Sequence, residues 1–149
     1  MKKETLTKGT KYFLDFMFVG GIVATATLPI SLKIIGQFLP RVEEHYKEAV
    51  VIYFVLGIAA VVIIRELRKM FQTVLNKNCF VYENVVSLQK MGKWSFFIVL
   101  MSLVRTFVYM TMAMGVVILV FTVAGLFSLV LSFVFEEAVG FKEENDLTV

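Results

Sequence analysis

Arg105 is the sharpest chemical feature of this chain. It is the one charged side chain between Trp94 and Phe135, in a segment that is otherwise almost continuously apolar. If a helix enters the membrane at Trp94, the intervening residues at about 1.5 Å each carry Arg105 about 16 Å deep, near the bilayer middle. A guanidinium there costs at least about 2.5 kcal/mol unless it finds partners. Three arrangements meet that demand: a buried cross-helix hydrogen bond, a ligand or lipid sensor site, or a side chain snorkelling to the headgroups. Thr25 is an acceptor at suitable depth, because Pro29 removes the N–H that the Thr25 carbonyl would accept. Tyr53, Ser102 and Tyr109 are further candidate partners, whereas Asp15 sits too close to the interface. The expected arrangement has Arg105 facing the bundle interior and bonded near Thr25.

Other residues with chemical potential are weaker. His45 stands beside Glu44 and Glu48, but one histidine and two carboxylates on an exposed helix fit a solvated surface better than a metal or proton site. Cys79 is the single cysteine, so no intrachain disulfide forms; it reads as small filler at a turn rather than as a redox or palmitoylation site. Met110, Met112 and Met114 fit packing better than a metal path. No catalytic constellation and no nucleotide-binding glycine loop are present. The chain therefore reads as no enzyme, with no metal and no cofactor.

The elements that position these residues belong to a membrane. Hydrophobic residues are 58% and charged residues 18% of 149, against roughly 45–50% and 25% in soluble domains. The mean hydropathy is +0.80. So much apolar surface cannot be covered within one small soluble domain. The net charge of +3 is set beside apolar runs, where membrane topology uses it, and forms no face for direct nucleic-acid contact. The N-terminal stretch resembles a signal peptide up to Ala24-Thr25-Ala26, but Asp15 interrupts its core and the apolar character continues to Leu32, so an uncleaved first span is expected.

Spanning segments of roughly 20 residues are expected at about 12–32, 49–64, 94–114 and 116–135. Gly20, Gly21 and Ala24 would let a neighbouring helix approach closely. The third and fourth spans are expected to join in a tight turn at Gly115. The predicted fold is all-α, an integral membrane four-helix bundle in one domain.

The second helix is expected to run on past Arg65. Leu67, Met70, Phe71, Val74 and Leu75 make one apolar stripe, with Glu66, Arg68, Lys69, Gln72 and Thr73 opposite. Asn76, Lys77 and Asn78 give a helix stop, since Asn tolerates the left-handed conformation of C-caps. A second helix should start near Val81, with Val85, Leu88 and Gly92 inward and Glu83, Asn84, Ser87 and Lys90 outward. Residues 65–93 thus form a helical hairpin extending spans two and three. Lysine and arginine concentrate at this hairpin and the N-terminus, which places both, and the C-terminus, in the cytoplasm. The hairpin carries six basic against two acidic side chains, net +4. The tail, 136–149, carries five acidic side chains against Lys142, net −4.

Two segments carry a resemblance. Asn78, Phe80, Glu83, Asn84 and Leu88 in the hairpin, and Lys142, Glu143, Glu144, Asn145, Asp146, Leu147 and Thr148 in the tail, resemble the domain of unknown function 2975 family of small bacterial four-helix membrane proteins. Cys79 stands where that family often has proline, and Val81 where a Ser or Thr cap is common. Family members often occur beside a small helix-turn-helix regulator. The resemblance implies a membrane component of a transcriptional switch.

Two function classes follow. One is an integral membrane protein of the bacterial cell membrane that docks a small helix-turn-helix DNA-binding regulator and responds to an envelope signal. Its docking surface would use Met70, Phe71, Val74, Phe80, Glu83 and Asn84 of the hairpin, with Glu143, Glu144, Asp146 and Leu147 of the tail. The other is a bacteriocin immunity or transporter-accessory protein, which would depend on the outer segment 35–48 or on lipid-facing surface. Membrane lipid is a partner in both, and a homo-oligomer is compatible with either.

Overall fold

The computed structural model describes residues 2–108 and 110–148, and these are helical almost throughout. The chain runs α1 (Lys3–Ala26), α2 (Leu28–Gly36), α3 (Pro40–Glu44), α4 (Tyr46–Leu75), α5 (Tyr82–Val108) and α6 (Met112–Thr148). Helices α4, α5 and α6 are each long and apolar enough to cross a membrane. The pair α1–α2 makes a fourth if the two count as one broken span, bent by 64°. The bend falls at Thr27, whose hydroxyl turns back to the Val23 carbonyl at 2.8 Å. Pro29 therefore sits in the first turn of α2, where a missing N–H removes no helical bond.

The 30 residues of α4 extend about 45 Å, beyond the roughly 30 Å of hydrocarbon. One helix thus carries the apolar segment and the stripe after Arg65. Its C-terminus closes as a Schellman motif. The Asn78 N–H donates to the Thr73 carbonyl at 3.0 Å and the Lys77 N–H to the Val74 carbonyl at 3.1 Å. The left-handed residue is Lys77, with φ 57°, rather than either asparagine.

Helix α5 ends at Val108 and α6 starts at Met112, so the break precedes Gly115, which lies inside α6. Thr111 explains the position. It caps α6, its Oγ1 accepting from the Met114 N–H at 3.4 Å. A glycine in an apolar helix need not end it, whereas a capping threonine gives the new helix a start.

The long helices pack in the order α1, α4, α5, α6, each against its neighbours in that row, and α1 makes no contact with α5 or α6 among the described residues. Helix α5 lies inside the row and holds the largest share of the buried residues: Val85, Leu88, Met91, Ile98 and Ser102 are buried along one face. Small residues set the close approaches. A Cβ at Gly57 would lie 2.7 Å from Thr25 Oγ1, and one at Gly92 would lie 2.8 Å from Leu129 Cγ. Of the small residues expected to admit a neighbour, Gly21 faces Val61 and Gly20 faces open space.

Candidate functional site

The α4–α5 hairpin holds a polar seam between two helices. Ser87 Oγ donates to Glu66 Oε2 at 2.8 Å. Lys69 Nζ donates to Glu66 Oε1 at 3.4 Å. One turn further out, Asn84 Nδ2 donates to Thr73 Oγ1 and to the Cys79 carbonyl, both at 2.7 Å. Thr73 Oγ1 donates to the Met70 carbonyl at 2.6 Å. Glu66, Asn84 and Ser87 are buried, at 4%, 2% and 6% exposure. The sequence pattern sent all three to the outside. They turn inward because each supplies the partner that the facing helix needs, and a buried polar group is tolerated when hydrogen-bonded.

Alongside the seam runs a groove of ≈ 540 Å³, lined by Glu66, Lys69, Gln72, Tyr82, Glu83 and Lys90 among others. A second hollow of ≈ 440 Å³ continues it toward the tip and shares Thr73, Tyr82 and Glu83. Of the residues expected to dock a partner, Glu83 lies exposed at this groove, Met70 and Phe71 are half-buried and Val74 is exposed. Asn84 is removed from that set as a contact residue, because its side chain is spent inside the hairpin.

Helix α1 braces the other side of α4. Arg68 Nε donates to Asp15 Oδ1 at 2.6 Å, and its guanidinium lies 4.4 Å over the Phe18 ring. Near the N-terminus, Glu4 accepts from Lys8 at 3.1 Å. That hydrogen bond and the Lys8 charge, joined by Lys77 at the hairpin tip, hold the Glu4 carboxyl below its ordinary value of 4.5.

The tail continues α6 as helix. It meets the hairpin through Lys142, whose Nζ donates to Asn78 Oδ1 at 2.6 Å. Phe135 and Phe80 meet edge to face at 5.4 Å. The acidic side chains Glu136, Glu137, Glu143, Glu144 and Asp146 all stay exposed. Leu147 is 87% and Phe141 70% exposed on the same helix. The hairpin thus holds the tail by its one basic residue and an aromatic pair, and leaves the acids outward.

Arg105 lies at the other end of the row. It sits in the last turn of α5, because that helix stops at Val108 rather than at 114. Its guanidinium stacks 4.2 Å over the Tyr53 ring of α4. The bond to Thr25 is not made. Thr25 Oγ1 donates to Gly21 on its own helix at 2.7 Å, and α4 stands between α1 and α5. Among the described residues, Arg105 Nε and Ser102 Oγ are both buried without a hydrogen-bond partner. Tyr109 lies outside the described residues. His45 Nδ1 lies 3.7 Å from Glu48 Oε2, and no group of three potential metal ligands occurs among the described residues.

The Asp15–Arg68 pair escaped the sequence reading, and a depth count does not find it. Asp15 lies inside the first expected span and Arg68 beyond the end of the second, so the expected bounds set them about 10 Å apart along the membrane normal. The pair forms because α4 sits shifted along α1 relative to those bounds. The Glu66–Ser87 contact had no sequence signal either. A family model described as "Protein of unknown function (DUF2975)" matches residues 7–149, and the chain belongs to that family. No curated protein and no solved structure matches it.

Proposed function

We propose that this member of the DUF2975 family is a four-span membrane protein that docks a small cytoplasmic helix-turn-helix regulator. In this reading α1–α2 is one broken span, and both termini and the α4–α5 hairpin lie in the cytoplasm. The lysine and arginine excess at those segments supports that orientation. The observation that carries the docking reading is the tail: a helix with exposed Glu143, Glu144 and Asp146, flanked by exposed Phe141 and Leu147. A DNA-binding regulator presents a basic face to phosphates, and an acidic helix competes for that face electrostatically. The apolar positions add area that charge alone lacks. The groove at Glu83 and Tyr82 lies beside the point where Lys142 fixes the tail, which gives one continuous surface.

The test is truncation. The protein is purified from native membranes in mild detergent with its regulator, identified by mass spectrometry, and affinity is compared before and after deleting Lys142 to Val149. At least a tenfold weakening is expected. Undiminished affinity removes the tail as the docking element. The alternative, a bacteriocin immunity or transporter-accessory protein, has its own observation: a hollow of ≈ 420 Å³ between α2 and the start of α4, lined by Leu32, Lys33, Gly36, Gln37, Glu43 and Tyr46. Loss of function on substituting Lys33 and Glu43, with the truncated tail harmless, favours that alternative.

A further inference from the structure

We infer that Arg105, stacked on Tyr53, forms a binding site for the phosphate of a membrane lipid. The inference does not depend on the docking reading. Its first ground is an unanswered charge. Among the described residues Arg105 makes neither an ion pair nor a hydrogen bond, and its one partner is the Tyr53 ring face, 4.2 Å from Cζ. A guanidinium is a permanent cation with five N–H donors in a planar fork. A ring face attracts the cation and leaves the in-plane donors free. In an apolar surround an ion without a counter-ion is costly, and intramembrane arginines are found with partners.

The second ground is local and independent. Ser102 is 0% exposed, lies one turn before Arg105 on the same helix face, and its Oγ has no hydrogen-bond partner. Four other buried polar side chains are answered: Glu66 and Ser87 by each other, Asn84 by Thr73 and Cys79, Ser132 by the Leu129 carbonyl. The deficit is concentrated at Ser102 and Arg105. A phosphate takes the terminal guanidinium nitrogens bidentately, and Ser102 Oγ, fully enclosed, marks the polar deficit on that face without itself touching the ligand.

The third ground selects the source. Arg105 is three residues from the end of α5 and Tyr53 seven from the start of α4, or about 4.5 Å and about 10 Å along those helices. In the four-span reading, on which this ground rests, the α4 start and the α5 end face the same membrane surface, and both residues are within reach of its headgroup layer. The surface around the site is apolar and open: Val104, Phe107 and Val108 are exposed at 50%, 92% and 57%. Alkyl chains cover such a surface, whereas a free aqueous anion has no reason to enter it.

The experiment uses the full chain, stripped of lipid in a phosphate-free maltoside detergent. Dioleoylphosphatidylglycerol, dioleoylglycerol and inorganic phosphate are added separately, and thermal unfolding and bound lipid by native mass spectrometry are recorded. The phospholipid should raise the midpoint of the wild type by about 5 °C at saturation, and the other two probes should not. Arg105→Leu and Tyr53→Leu should lose most of that rise, and Tyr53→Phe should keep it. If Arg105→Leu does not fold, Arg105→Lys serves, keeping the charge without the fork, and its lipid affinity should drop at least tenfold. An equal rise with dioleoylglycerol shows that only acyl chains bind and overturns the inference. An equal rise with inorganic phosphate overturns the lipid as the source. A rise undiminished in Arg105→Leu, or unchanged affinity in Arg105→Lys, removes Arg105 from the site.

Discussion

The hairpin end and the Arg105 end treat buried polar groups in opposite ways. At the hairpin, Glu66, Ser87, Asn84 and Thr73 answer one another across α4 and α5 at 2.7–2.8 Å. At the far end, Ser102 Oγ and Arg105 Nε are buried with no hydrogen-bond partner among the described residues. The helices are the same two. The difference lies in which side chains face each other. A satisfied seam fixes register and rigidity. An unsatisfied pair keeps donors in reserve for something the chain does not itself contain.

The comparison breaks most visibly at Asn84. Asn84→Leu leaves the Cys79 carbonyl and Thr73 Oγ1 without their donor and sets an apolar side chain of the same branching into a polar seam. The expected loss is about 2–3 kcal/mol, read as a fall of about 5–10 °C in the unfolding midpoint in detergent. A fall of under one degree would show that the seam is not part of the stable core. Asp15→Asn tests the brace on the other side of α4. The pair is about one-third exposed on both partners, at 35% and 32%, so screening limits the expected loss to about 1 kcal/mol or less. Its mark should be salt sensitivity of the wild-type midpoint that Asp15→Asn lacks.

Smaller still is Lys77→Gly. Lys77 holds φ 57° at the end of α4, a conformation that glycine adopts without a Cβ clash. The substitution should stabilise the hairpin by about 0.5–1 kcal/mol, seen as slower amide exchange in the last turn of α4. Faster exchange would mean that the Lys77 charge matters more than its backbone. The least effect belongs to Glu4. Its carboxyl is depressed by Lys8 and Lys77, so its contribution is present above the ordinary value of 4.5 and fades as pH falls through the lower folded value. The α1 N-terminus should therefore loosen in acid in the wild type, and Glu4→Gln should remove that pH dependence. An unchanged acid profile in Glu4→Gln would assign the loosening to another group.

Helix type was readable almost everywhere, and for identifiable reasons. The stripe Leu67, Met70, Phe71, Val74 marks residues 65–75 as helical although the apolar run ends at Ile64. Partners and ends were less readable. Asn84 and Ser87 look outward by polarity, because a single helix offers no sign that Thr73 and Glu66 will stand opposite. The break before Met112 hides because it uses no glycine or proline; Thr111 is its only mark, and Gly115 draws attention away from it. The expected Arg105–Thr25 bond failed on helix order. Depth along the membrane normal can be counted from sequence, but which helices are neighbours cannot, and α4 separates α1 from α5.

The contrast between the two ends is tested most directly by unfolding Asn84→Leu and Arg105→Leu side by side, first without lipid and then with phosphatidylglycerol. Without lipid, Asn84→Leu should fall by several degrees. Arg105→Leu should stay within about 1 kcal/mol of wild type, since losing the ring contact is offset by removing an unpaired buried charge. With lipid, Asn84→Leu should keep the full lipid-induced rise and Arg105→Leu should lose it. If Arg105→Leu instead falls as far as Asn84→Leu without lipid and still gains the full rise when lipid is added, Arg105 is an internal structural group, and the two ends of the molecule do not differ in the way argued.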